Sequence, residues 1–142
     1  MSPRAVSGDT REVGEFSFGG STHTLWVAPA RNGGFCSLWL PNGGGGCSLS
    51  HRPLSTGAVL RGRYPLWVIG EVLAPAVGDV VIRFSDGSAV HPRIVWVSAP
   101  ISAGFFAYDV PAGERSSRLH LSTVDAYDRA GALVARQSFT RG

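Results

Sequence analysis

The chain has 142 residues, of which 44% are apolar and only 16% charged, a globular composition that suits one domain and excludes a largely disordered polymer. Its 19 glycines and 9 prolines argue against a helical protein and fit many short strands joined by tight turns. The net charge is +3, but the 13 basic residues, every one an arginine, are scattered, and only Arg61-Gly62-Arg63 comes near the basic stripe that nucleic-acid binding needs.

No run of about 20 apolar residues is present, so no segment is expected to insert into a membrane. Residues 1–14 lack the apolar centre of a signal peptide. Either the chain works in the cytosol, or it is one domain of a larger protein whose targeting segment lies upstream.

In chain order, residues 1–10 are polar and unpatterned and read as a flexible tail, leaving residues 11–140 as a single domain. Residues 12–18 place Val13, Phe16 and Phe18 among polar neighbours, a first strand, and Gly19-Gly20 turns the chain. Residues 22–27 alternate, with His23, Leu25 and Val27 on one face and Trp26 on the other. Residues 35–40, FCSLWL, form a third strand after a turn at residues 29–34. Residues 41–57 read as the longest irregular stretch, with four consecutive glycines that allow almost any path but cost entropy to order.

Residues 66–72, LWVIGEV, are a fourth strand. The strongest local signal follows at residues 80–97, two β-branched runs about Ser85-Asp86-Gly87-Ser88, where Asp-Gly predicts a tight hairpin turn. The unbroken apolar arm from Ile94 to Val97 predicts a strand buried on both faces, and the continuous apolar runs that hold Trp67 and Trp96 predict that both rings are buried. Residues 104–110 add another strand, and residues 119–127 and 133–139 close the chain as a hairpin across Asp128-Arg129-Ala130-Gly131. The count is about nine strands and no helix, an all-β fold with a single antiparallel β-sandwich.

Three segments carry a resemblance: VIGEVLAPAVGDVVIRFSDGSAV, then ISAGFFAYDVPAG, then LSTVDAYDRAGALVARQ. Their order resembles the Ig-like or fibronectin-like sandwich domains of actinobacterial cell-envelope proteins, over residues 66–139. The resemblance implies an Ig-like sandwich in an extracytoplasmic, envelope-anchored protein, and it transfers no catalytic residue. The chain departs from antibody-type domains, because its two cysteines are too close in sequence for the inter-sheet bridge.

Cys36 and Cys47 are the only cysteines, and the ten residues between them leave slack for a disulfide. In a short loop of this kind the bridge contributes about 3 kcal/mol in the chain-entropy model. The sharper alternative is a zinc site of Cys36, Cys47 and His51, completed by His23, His91 or His120, but the paired ligand spacing of such sites is incomplete. The glycine run lacks the Gly-Lys-Ser/Thr ending of a phosphate loop. Ser48, Ser50 and His51 stand together without the strand–turn–helix setting of a nucleophile. Asp79, Asp86, Asp125 and Asp128 fall at predicted turns, where aspartate stabilises the backbone locally.

Phe35 and Trp39 share a parity opposite to Cys36 and Leu38. With Cys36 and Leu38 assigned to the core, Phe35 and Trp39 face outward with Trp26, an aromatic patch of the kind that marks a protein interface or a sugar-stacking surface. The expectation is therefore a non-catalytic module that needs no metal or cofactor and recognises a protein or a polysaccharide through Trp26, Phe35 and Trp39, with the 41–57 loop contributing shape. A carbohydrate-binding module using the same rings, and a metal-dependent protein built on Cys36, Cys47 and His51, are the competing classes.

Overall fold

The computed structural model describes residues 6–31, 33–41, 43–48, 52–61, 64–115 and 118–139. Turn chemistry sets the local structure. Gly19 and Gly20 both take left-handed backbone, with φ of 64° and 79°, and close a two-residue hairpin as expected. At the Asp86-Gly87 turn the Asp86 Oδ1 accepts from the Ser88 N–H at 2.9 Å, and the Phe84 N–H donates to the Ser88 carbonyl. Asp128 plays the same part in the last hairpin, its Oδ1 accepting from the N–H groups of Ala130 and Ala132 at 2.9 Å each.

Twelve strands and one 3-10 turn at Ala112–Glu114 run through the described residues. The first four are β1 (Arg11–Phe18), β2 (Ser21–Pro29), β3 (Phe35–Leu40) and β4 (Gly45–Ser48). Next come β5 (Leu54–Arg61), β6 (Tyr64–Leu73), β7 (Asp79–Phe84) and β8 (Ala89–Val90). The chain ends with β9 (Val95–Val97), β10 (Ala103–Asp109), β11 (Leu121–Tyr127) and β12 (Leu133–Ser138). They form three antiparallel sheets ordered β1-β2-β3-β4, β5-β6-β10-β9 and β12-β11-β7-β8.

The second sheet is the middle layer, and side-chain alternation along its strands explains why. From β6, Val68 and Val72 enter one core with Val80, Ile82, Phe84, Val124 and Ala126 of the third sheet. Trp67, Ile69 and Leu73 of the same strand pack on Phe16, Phe18, Leu25, Val27 and Phe35 of the first sheet. Strand β10 repeats the division, with Phe106 toward the third sheet and Phe105 toward the first. The near-continuous apolar runs LWVIGEV and GFFAYD are therefore the strands buried on both faces.

The all-β, antiparallel expectation holds, and several finer ones do not. Residues 54–139 form two face-to-face sheets, and residues 11–48 add a third, so twelve strands replace about nine. The stretch 41–57 is not mainly irregular, because it contains β4 and the start of β5. The second arm of the 80–97 hairpin divides at His91-Pro92: β8 stays with β7, and β9 crosses to pair with β10. Proline has no N–H for the ladder, which suits a point where a strand changes sheets. As a result β9 is a short edge strand, and Trp96, expected inside, is 44% exposed, while Trp67 is partly buried. Within the expected tail, Val6 bridges to Ala30 and the Ser7 N–H donates to the Pro29 carbonyl, so residues 6 and 7 lie against the first sheet.

Two polar clips tie the layers, and a buried ion-pair cluster ties three strands of the third sheet to one another. Arg11 of β1 donates to the carbonyls of Ser98 and Ala99 at 3.2 and 2.8 Å, joining the first sheet to the loop before β10. The Gln137 side-chain amide of β12 gives and takes a hydrogen bond with the Thr56 backbone of β5, at 2.9 and 3.2 Å. Asp125, expected in a turn, is instead a fully buried mid-strand carboxylate held by Arg136 at 2.7 Å and Arg83 at 2.8 Å. Burial pushes its pKa up, but the hydrogen bonds from Arg136 and Arg83 outweigh that and hold it below the ordinary carboxylate value.

Candidate functional site

The face assignment in β3 is reversed from the expectation. Phe35 is 4% exposed and packs edge-on against Phe105, with ring centroids 5.5 Å apart. Trp39 also turns inward, edge-on to Phe16 and Phe18 at 5.3 Å each. Both faces of FCSLWL are apolar, so alternation alone does not say which is inner. Cys36 is fully buried although it lies on the opposite face from Phe35, opposite Cys47 of β4, to which it is disulfide-bonded. Of the three expected aromatics only Trp26 stays on the outer face, beside its register partner Leu38 and near Leu40, which is 40% exposed.

The disulfide between Cys36 and Cys47 is as expected, and it takes both sulfurs away from any zinc site. His51 and Ser50, the other members of the proposed constellations, lie outside the described residues. His91 is exposed and sits 3.1 Å from Asp79. His23 is buried: its ring stacks on Phe18 at 4.1 Å, and its Nε2 lies 3.2 Å from the Phe18 carbonyl, which makes Nε2 the donor. Its Nδ1 has no partner among the described residues. No group of three metal-ligating side chains occurs among the described residues.

Turned inward, Trp39 helps to enclose a cleft of about 210 Å³ between the first sheet and the central one. Leu25, Ser37 and Trp39 form its upper wall, and Ser55, Thr56 and Gly57 of β5 with Ile69, Gly70 and Glu71 of β6 form its floor, closed by Phe105. The glycine run positions the upper wall. The Gly43 N–H donates to the Trp39 carbonyl and the Trp39 N–H donates to the Gly44 carbonyl, both at 2.7 Å. At Gly45 a Cβ would collide with the Ser37 carbonyl, so only glycine lets β4 approach this closely.

Glu71 is the chemical centre of the cleft. It is flanked in register by Ser55 on one side and Phe105 on the other. Its carboxyl has no hydrogen-bond or ion-pair partner among the described residues, and burial raises its pKa from the ordinary 4.5 to about 7. It is the only titratable residue among the described residues lining the cleft. An acidic residue inside LWVIGEV, a strand buried on both faces, is the sequence signal that could have found it, since a buried charge without a partner is costly.

A second, larger depression of about 630 Å³ lies on the outer face of the third sheet, with Asp79, His91, Arg83, Tyr127 and Arg129 around it. Its chemistry is largely satisfied internally, because Arg83 is committed to Asp125 and Tyr127 and Asp79 faces His91. The Glu71 cleft, in contrast, holds an ionisable carboxyl with no partner among the described residues.

Comparison with protein-family models, with curated proteins and with solved structures finds no match to this chain.

Proposed function

We propose that this chain is a non-catalytic extracytoplasmic module of an envelope-anchored protein, an Ig-like sandwich carrying an extra sheet, and that it recognises its ligand or partner in the cleft at Trp39 and Glu71. The observation that carries the reading is this cleft, where an aromatic ring and apolar side chains surround a few polar groups, the usual make-up of a binding site. The Cys36–Cys47 bridge supports an oxidising compartment. A binding role is favoured over hydrolysis because acid–base chemistry of the glycosidase type uses paired carboxylates, and Glu71 stands without a second acid among the described cleft residues.

A sugar-stacking surface built from Trp26, Phe35 and Trp39 is less well supported, because Phe35 is buried and the other two rings lie on opposite faces of the first sheet. The test is a nuclear magnetic resonance titration of the full chain with panels of peptides, oligosaccharides and small amines. Ligands that move the Trp39 indole and Glu71 signals support the reading. Ligands that move only Trp26 and Leu40, or none that moves the cleft, overturn it. Intact mass with and without reductant checks the compartment argument: protein from its native host gains two hydrogens on reduction if the bridge is present.

A further inference from the structure

Resting on the cleft as the binding site, the geometry points to its ligand class: we propose that it receives a small organic cation, an alkylammonium or guanidinium group, as a free amine or as the side chain of a partner's lysine or arginine.

Four observations converge on this. First, the Glu71 carboxyl enters the cleft with no counter-charge among the described residues, and a cation would supply the missing ion pair. Second, two of the three hydroxyl protons at the cleft are already used. Thr56 Oγ1 donates to the Ile69 carbonyl at 2.9 Å and Ser37 Oγ donates to the Gly46 carbonyl at 3.4 Å, so these two hydroxyls have only acceptor capacity left. The Ser55 hydroxyl, beside Glu71, has no acceptor among the described residues, so acceptors outnumber donors here and a group rich in N–H donors matches the set better than an anion does. Third, Trp39 and Phe105 line the cleft, and aromatic faces attract cations while apolar surface accommodates an alkyl stem. Fourth, at about 210 Å³ the cleft is smaller than the roughly 300–1,000 Å³ typical of drug-sized ligands, so it suits one extended side chain or a short amine.

The groups facing Glu71 are Ser55 from β5, Phe105 from β10, and Leu25, Ser37 and Trp39 from the first sheet, none of which titrates near neutrality. His23 faces the same interior further along β2, edge-on to Trp39 at 6.5 Å. Because an amine favours the ionised carboxylate, binding releases the Glu71 proton where it is still held, and affinity rises with pH until Glu71 is ionised.

The experiment titrates the folded full chain with n-butylammonium, Nα-acetyl-lysine amide, n-butanol and butyrate, following the Glu71 carboxyl carbon and the Trp39 indole. The expected result is that both cations shift these signals and n-butanol and butyrate do not. Affinity for n-butylammonium should rise by up to about tenfold per pH unit below neutrality and level off above it. Tighter binding of the lysine derivative assigns the cation to a partner's side chain, and tighter binding of the free amine assigns it to a small metabolite. Glu71→Gln, checked for an unchanged amide spectrum, should weaken cation binding at least about tenfold, the loss of a charge-assisted contact. The wild-type pH profile carries the test if that variant does not fold. Equal response to n-butanol, or a flat pH profile, overturns the cation while leaving the cleft as a site. No response of the cleft to these probes, with a response to other peptides or sugars, has the same meaning, and silence to every ligand removes both.

Discussion

The two faces of the central sheet are built from the same strands but packed to different standards. Toward the third sheet, Val68, Val72 and Phe106 meet Val80, Ile82, Val124 and Ala126, all at most barely exposed and nearly all aliphatic. Toward the first sheet, the contact is aromatic, made by Phe16, Phe18, Phe35, Trp39, Trp67 and Phe105, and it admits His23 and Glu71. Small branched side chains fill the middle of that interface closely, and the depression of about 320 Å³ beside it opens at its margin, where Phe84, Tyr108, Val110 and Leu119 meet Asp86 and Glu114. Large flat rings meeting edge to face leave a gap that polar groups can occupy. One face of the sheet is therefore aliphatic and closed at its centre, and the other admits an unpaired acid into its interior.

Three substitutions or conditions test that division. The largest effect is expected from Phe106→Ala, which opens a cavity in the closed aliphatic face and should cost about 4 kcal/mol in denaturant unfolding, with the Glu71 signal unmoved. A loss under about 1 kcal/mol would mean this face is looser than described.

The next effect is a pH dependence from the open face. Between 4.5 and about 7 the folded protein keeps the Glu71 proton that the unfolded chain has lost. Stability therefore falls as pH rises through that window and is flat on either side of it, by up to about 3 kcal/mol at about 1.36 kcal/mol per unit. Glu71→Gln should remove most of this slope, and an unchanged slope would show that another group carries it. Asp125 acts with the opposite sign. Its lowered pKa gives stability that is present above the ordinary carboxylate value and lost as pH falls through its folded pKa, so the two groups separate by pH range.

The smallest effect is expected from Gln137→Ala, which removes two hydrogen bonds to the Thr56 backbone where a solvent-exposed edge can partly replace them with water. It should cost about 1 kcal/mol and raise amide exchange at Thr56. No change in exchange there would show that the clip is not formed in solution.

The turns were legible in the sequence because their chemistry is local. Gly19-Gly20, Asp86-Gly87 and Asp128 with Gly131 each do what their conformational preferences dictate. The disulfide was legible for the same reason. Layering was not, because it depends on which sheet lies over which. A strand apolar on both faces was anticipated, but at residues 94–97 instead of β6 and β10, since the break at Pro92 moves β9 to an edge. The inner face of β3 is not legible either, because both faces of FCSLWL are apolar, and Cys36 is buried on the face opposite Phe35. Glu71 is legible as an acid within the apolar run LWVIGEV, but the cleft around it is not, because the cover comes from the first sheet, which lies far off in sequence.

The Gln137 clip also bears on how anything reaches the cleft. Strand β5 is an edge, and a free edge invites an incoming peptide to extend the sheet by backbone pairing. At Thr56, on the floor of the cleft, a side-chain amide already occupies both backbone groups, as a counterfeit neighbouring strand would. Strand addition is blocked at that position, so beside the cleft the edge offers an incoming chain no backbone pairing, and the proposed recognition rests on the chemistry of one group instead of the register of a chain.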